Sequence, residues 1–188
     1  MSTAVGMDVS VTPETFTLVN YDAGEIAEIA ANLWQRIGLP QGLSLRLEID
    51  ETTPLGRANI VSVDPPVLAL ESGALEDSHR PRKLSRPGSE DVIGRLLFKL
   101  GDRIDPAFGD PPDDDDIPLT VSSAWDVYAV GRLSRLGFPN QRQRRLYQFR
   151  VRHGFTDQVD AVFNQLWSAE GLTWTGLLEL SEQATNAS

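Results

Sequence analysis

The sequence predicts an α+β fold, a three- to four-stranded sheet covered by helices and followed by a helical C-terminal part. Three observations predict it. Residues 43–49 alternate apolar and polar side chains, the period of a half-buried strand. Two more strand-like runs follow at 58–63 and 67–71, and everything after residue 118 has the three-to-four-residue apolar spacing of helices. Strands grouped early and helices late favour α+β over a doubly wound sheet, in which the two alternate.

Residues 1–20 read as an extended arm, part of which, within 10–19, suits an edge strand. Asp22 with Glu25 forms a capping box for the first helix, in which each side chain bonds a free backbone N–H of the first turn. Ile26, Ile29, Ala30, Leu33, Trp34 and Ile37 then share one face, and Gly38 with Pro40 ends the helix. Leu43, Leu45, Leu47 and Ile49 carry the first firm strand. Pro65 and Pro66 separate the next two. Proline cannot donate to a ladder, so the run 67–71 is expected at an edge.

Residues 72–88 are a long polar stretch holding Arg80, Arg82, Lys83 and Arg86. This predicts a functional or mobile loop with a short helical turn near 74–77. Ser89 is placed to cap a helix 89–104 with an apolar stripe of Ile93, Leu96, Leu97, Leu100 and Ile104. Residues 109–117, with two prolines and a run of acids, read as a linker. Four helices are expected beyond it. Ser123 caps the first and Gly137 closes it. Pro139 opens the second, while Thr156 and Thr173 cap the third and fourth. The expected division is an α+β core over 1–110 and a helical subdomain over 118–188 packed on it as one compact unit.

Composition narrows the function classes. The 188 residues carry a formal net charge of −10, with −11 over residues 1–117 and +1 over 118–188. A strongly acidic chain does not attract polyanions through its overall field. The absence of cysteine excludes disulfides, thiolate metal sites and thiol nucleophiles. No basic segment followed by an apolar run opens the chain, and no run is long enough to span a bilayer. These features predict a cytoplasmic protein with no membrane partner.

The segment Arg95-Leu96-Leu97-Phe98-Lys99-Leu100-Gly101-Asp102 resembles the active helix of zincin-type metallopeptidases, which reads two apolar residues and then His-Glu-Leu-Gly-His. The order of elements before it also resembles a minimal zincin. The resemblance implies a zincin-like fold from about residue 22 to 105 and a pseudoenzyme. Both histidines and the glutamate are replaced, by Phe98, Asp102 and Lys99. Zinc needs two imidazoles one helical turn apart and the reaction needs a carboxylate base. Asp105 and Phe108 stand where many such enzymes carry a glycine and a third ligand. No metal or other cofactor is expected.

A second candidate is the run from Arg132 to Arg152, which has seven arginines and no acid. Tyr147 and Phe149 are interleaved, and guanidinium forks with aromatic faces suit phosphate or base contact. At 100° per residue Leu146, Phe149 and His153 share one face, with Tyr147 and Val151 nearly opposite. That pattern predicts a helix packed on two sides. The arginines are expected to lie across the protein's own acids, for example Asp113–Asp116, or to dock an acidic or phosphorylated protein. Nucleic acid is the lesser expectation, because salt-steered binding wants a basic domain.

Two smaller constellations remain. Asp113–Asp116 lacks the alternate ligand spacing and central glycine of a calcium loop. Asp77 with His79 could support acid–base hydrolysis, although no second histidine or nucleophile signature stands nearby. His153, on an apolar helix face, reads as structural. No phosphate-loop, dinucleotide or nucleophile-elbow pattern occurs.

The reading is therefore a non-enzymatic interaction or regulatory protein, zincin-like and without metal. Its expected contact residues are Arg80, Arg82 and Lys83 in the loop and Arg142, Arg144, Arg145, Tyr147, Arg150 and Arg152 on the helix. The alternatives are a nucleic-acid-binding module using Arg142–Arg152 and a hydrolase using Asp77 and His79.

Overall fold

In the computed structural model, which describes residues 7–187, the alternating run becomes strand β2 (Ser44–Asp50), preceded by β1 (Asp8–Thr12) and α1 (Ala23–Ile37). Strands β3 (Ala58–Val63) and β4 (Pro66–Glu71) complete a mixed sheet of order β1-β2-β4-β3. β1, β2 and β4 run parallel, and β3 is antiparallel at one edge. The fold class is α+β, as the grouping of strands and helices predicts.

Register sorts the side chains onto two faces. Val11, Leu47, Leu68 and Ile60 form one row across the four strands, and all four are buried. The next row, Thr12, Glu48, Ala69 and Asn59, lies on the opposite and more polar face. A one-residue slip would invert both faces, so the apolar pattern fixes the pairing. β4 is central, not at the edge. Its proline, Pro66, is the first residue of the strand, where a missing donor is tolerated.

Helix α1 forms as its caps dictate. The Asp22 side chain accepts from the Glu25 N–H at 2.8 Å, and Gly38 closes the helix at φ 81°. Only glycine takes that left-handed conformation without a Cβ penalty. Ile26, Ile29, Ala30, Leu33 and Trp34 are all buried.

The polar stretch 72–88 is not a bare loop. A single 3₁₀ turn (Ser72–Ala74) leads into a two-stranded antiparallel hairpin, β5 (Glu76–Asp77) and β6 (Arg80–Leu84). Leu75 is fully buried beneath it, and the Tyr21 hydroxyl donates to the Ser72 carbonyl at 2.8 Å. Gly73 is required there, because a Cβ would fall 1.9 Å from the Pro54 carbonyl oxygen. The hairpin escapes sequence pattern because its strands are short and almost wholly polar.

Helix α2 (Arg86–Ile104) begins three residues earlier than expected. Ser85, not Ser89, caps it: its hydroxyl accepts from the Gly88 N–H at 3.1 Å. Pro87 occupies the first turn, where no donor is needed. Ser89 lies inside the helix and is buried. Ile93, Leu96, Leu97 and Leu100 form the predicted stripe, each at most 1% exposed.

The chain divides into two compact units, Met1–Leu100 and Gly101–Ser188, the division falling within α2 and not in the acidic segment. The second unit contains α3 (Leu119–Arg135), α4 (Arg142–His153), α5 (Asp157–Ser168) and α6 (Trp174–Asn186). Its core gathers Trp125, Tyr128, Phe149, Val159, Phe163 and Leu177 among others. Thr156 and Thr173 cap α5 and α6 through their hydroxyls. α3 starts behind Pro118, so Ser123 is inside the helix, and Pro139 precedes α4 without opening it. No helix among the described residues is long and apolar enough to cross a membrane.

The acidic run is anchored as well. Asp114–Asp116 forms one 3₁₀ turn between buried Phe108 and buried Ile117. Arg103 holds Asp114 at 2.6 Å, and the Phe108 ring stacks on Trp125 with centroids 5.4 Å apart. Flanking side chains anchor this segment while the aspartates themselves stay at the surface.

Candidate functional site

The zincin-like segment lies on α2, where Phe98 offers no donor and Lys99 is buried. Both oxygens of Asp102 are engaged. Arg132 of α3 donates Nη1 to Oδ1 at 2.8 Å and Nη2 to Oδ2 at 2.7 Å, and the Trp125 indole donates to Oδ2 at 2.7 Å. The guanidinium also lies 3.8 Å over the Tyr128 ring. Among the described residues no group of three or more histidines, cysteines, aspartates or glutamates is placed to hold a metal. The residues present do not fit zinc: one position carries a hydrocarbon, and the other a carboxylate already forked by arginine.

Asp77 and His79 sit at the tip of the β5–β6 hairpin. Asp77 accepts from the His79 backbone N–H at 2.9 Å and from Arg80 Nε and Nη2 at 3.0 and 2.8 Å. These bonds, the one from His79 N–H foremost, hold its carboxyl below the usual range. The backbone N–H of His79, not its ring, therefore meets Asp77, and the ring is exposed. Arg80, Arg82 and Lys83 are exposed along β6. Arg82 takes a left-handed φ of 62°, with its N–H on the Glu76 carboxylate at 2.5 Å.

Helix α4 sorts its arginines into two groups. Arg142 donates to the Asn164 Oδ1 at 2.6 Å and lies over the Phe163 and Trp167 rings. Arg145 reaches Asp126 at 3.5 Å and Gln148 at 3.0 Å. Arg150 forks onto Asp160, with Nε 2.7 Å from Oδ1 and Nη2 on Oδ2. That fork lowers the Asp160 pKa and raises that of Arg150. The acids opposite are therefore Asp126 and Asp160, not Asp113–Asp116. Arg144 makes one long bond to Gln141 at 3.3 Å. Arg152 is exposed and has no partner among the described residues.

The same helix is packed on one side only. Phe149 and His153 are buried, and the imidazole bridges the Phe149 carbonyl at 3.1 Å and the Ser181 hydroxyl at 3.2 Å. Burial holds the His153 pKa below its ordinary value. On the opposite side Tyr147 is 61% exposed and Val151 52% exposed, so the predicted second packing face is bare. Phe155, 64% exposed, meets Tyr147 edge-on with centroids 6.0 Å apart.

The result is an exposed row of Tyr147, Val151 and Phe155 beside Arg144 and Arg152. Sequence reasoning found Tyr147 and both arginines but missed Phe155, which lies past the helix end. The signal was its spacing, two turns beyond Tyr147, with Gly154 at φ 112° redirecting the chain between helix and ring.

An open cleft of about 490 Å³ lies at the carboxyl ends of β1, β2 and β4, lined in part by Glu48, Asp50, Arg57, Asn59 and Glu71. Its acids are occupied. Glu48 pairs with Arg46 at 2.9 Å, Asp50 accepts from Thr52, and Glu71 accepts from the Arg57 N–H. No family model matches the chain, and no curated protein or solved structure matches it.

Proposed function

We propose that this protein works by binding rather than by catalysis, as a non-enzymatic interaction or regulatory protein whose contact surface is the outward face of α4. The exposed row Tyr147–Val151–Phe155, flanked by Arg144 and Arg152, carries this reading. Tyrosine, phenylalanine and arginine are the side chains enriched at binding interfaces, and tyrosine and arginine at their hot spots. Leaving three large apolar groups in water along α4 and just past its end has no folding benefit.

The resemblance to zincin-type peptidases fits the same reading, since Phe98 and Asp102 stand where that family carries zinc ligands. A cytoplasmic setting fits a sequence without cysteine. A protein partner is favoured over nucleic acid by arithmetic. Arg142, Arg145 and Arg150 are committed to Asn164, Asp126 and Asp160. Arg144 and Arg152, the two α4 arginines that meet no acid among the described residues, neutralise too few phosphates to offset a chain of charge −10.

The test is a photo-crosslinking residue at position 148, beside the row, compared in the otherwise native protein and in the Tyr147→Ser/Phe155→Ser variant. Native-like circular dichroism and melting are required of both. The expected result is a discrete cross-linked product that the double variant loses. Identical cross-linking in both backgrounds would remove α4 as the surface. Gel shifts of single-stranded DNA with a steep salt slope would reassign it to nucleic acid.

A further inference from the structure

Resting on the reading of α4 as a contact surface, we propose that its partner is a second copy of this chain, which inserts the acidic segment 113–119. The same helical unit displays the two complementary halves of one contact. One half is the α4 face, where Tyr147, Val151 and Phe155 are exposed and Arg144 and Arg152 are exposed on the same helix. The other is the start of α3, where Asp115 and Asp116 are exposed and Leu119 is 63% exposed.

Each half carries the kind of group that the other lacks. Arg144 and Arg152 pair with no acid of their own chain among the described residues. Among the described residues, Asp114 alone of the four consecutive aspartates is held by an arginine, Arg103. Three neighbouring carboxylates without a cation repel one another, and two guanidinium groups brought between them relieve that repulsion. Leu119 is the apolar side chain beside the acids, as Val151 is the one beside the arginines. Seated against Tyr147 and Phe155, it would remove four exposed apolar groups from water together.

The acidic segment is also pre-ordered for docking. Buried Ile117 and Phe108 pin it on both sides, and Asp114–Asp116 is already turned into a single 3₁₀ turn. Little conformational entropy then remains to be lost on association. Because each copy owns one face and one segment, a two-fold arrangement makes the contact twice. The long-range repulsion between two chains of charge −10 opposes the encounter, so the contact is expected to be weak and to strengthen with protein concentration.

Sedimentation velocity on the full chain, over a hundredfold concentration range near physiological ionic strength, tests this. The expected result is a concentration-dependent rise in mass from one copy to two. Arg144→Glu/Arg152→Glu and, separately, Asp115→Arg/Asp116→Arg should each weaken association by at least about tenfold. An equimolar mixture of these two variants should associate again, because in the mixed pair every acidic half meets a basic one. Tyr147→Ser should weaken association without changing its salt dependence.

A chain that stays one copy at every concentration overturns the proposal, as does a pair of charge-reversed variants that fails to recover when mixed. The cross-linking experiment separates the two levels. A monomer that still cross-links to a different protein through α4 refutes the second copy and leaves the binding face standing. A monomer that cross-links to nothing refutes both.

Discussion

Asp102 and Arg132, thirty residues apart, form a two-bonded fork at 2.8 and 2.7 Å that ties the last turn of α2 to α3. Trp125 completes the shell by donating to the same carboxylate. In this arrangement the aspartate orders a core instead of holding a ligand. Removing it alone should be costly, because Arg132 would remain largely buried without its counter-charge. Asp102→Ala is expected to destabilise the helical unit by about 3–5 kcal/mol in urea unfolding. Asp102→Leu combined with Arg132→Met should recover much of that loss, because buried pairs often exchange neutrally for apolar residues. A single variant as stable as wild type would show that the fork is loose in solution.

Gly131 gives a second prediction, about packing between α3 and α5. A Cβ placed there would fall 2.1 Å from the Trp167 carbonyl oxygen. That carbonyl cannot swing away freely, since Arg135 donates to it at 2.5 Å. Two effects compete in Gly131→Ala. Helix propensity gains up to about 1 kcal/mol. Overpacking against fixed backbone costs about 1–3 kcal/mol or more. The clash should win, so the variant is expected to melt below wild type. The same change at Gly137, whose Cβ would meet nothing within 4 Å, costs only the strain of its φ of 84°.

What the sequence made legible was whatever depends on near neighbours. Strand β2 is written in four alternating apolar residues, and α1, α5 and α6 announce themselves through Asp22, Thr156 and Thr173, whose side chains bond N–H groups three residues on. The hairpin β5–β6 was illegible because polar strands held by Tyr21, Ser72 and Leu75 have no periodic signature of their own. The centrality of β4 was hidden by Pro66, which reads as an edge signal until its position at the first residue is known. The candidate face was half visible. Helical angles separated Tyr147 and Val151 from Phe149 and His153, but only tertiary contacts decide which side is covered. Which arginines are spent was equally out of reach, since Asp126 and Asp160 are brought to α4 from other helices.

His153 supplies a pH prediction. Burial favours its neutral form and holds its pKa below the ordinary 6.5. The sign follows from linkage. Above about pH 6.5 both folded and unfolded chains carry the neutral ring and nothing changes. As pH falls below that value the unfolded chain takes up a proton that the fold resists, so stability declines until the folded pKa is passed. The slope from this one group is at most about 1.4 kcal/mol per pH unit. His153→Gln, which can still meet the Ser181 hydroxyl, should flatten the decline between pH 6.5 and 5 relative to wild type. Parallel curves for the two proteins would assign the acid limb to other groups.

Tyr21 sets the opposite limb. Burial first, and the nearby Glu76 carboxylate second, raise its phenol from 10.0 to about 12. Its hydroxyl donates to the Ser72 carbonyl and so braces the 3₁₀ turn beneath the β5–β6 hairpin. At neutral pH Tyr21→Phe loses that bond, and a decrease of about 1 kcal/mol is expected. Between pH 10 and 12 the balance changes. The unfolded tyrosine ionises while the folded one resists, so wild type loses stability that the phenylalanine variant has no group to lose. The two stability curves should therefore converge as pH rises through that window, and tyrosinate absorbance should show two of the three tyrosines titrating late, Tyr21 and the buried Tyr128, of which Tyr21→Phe removes one. If the curves stay a constant distance apart, Tyr21 ionises as freely in the fold as in the unfolded chain, and its hydroxyl does not brace the hairpin.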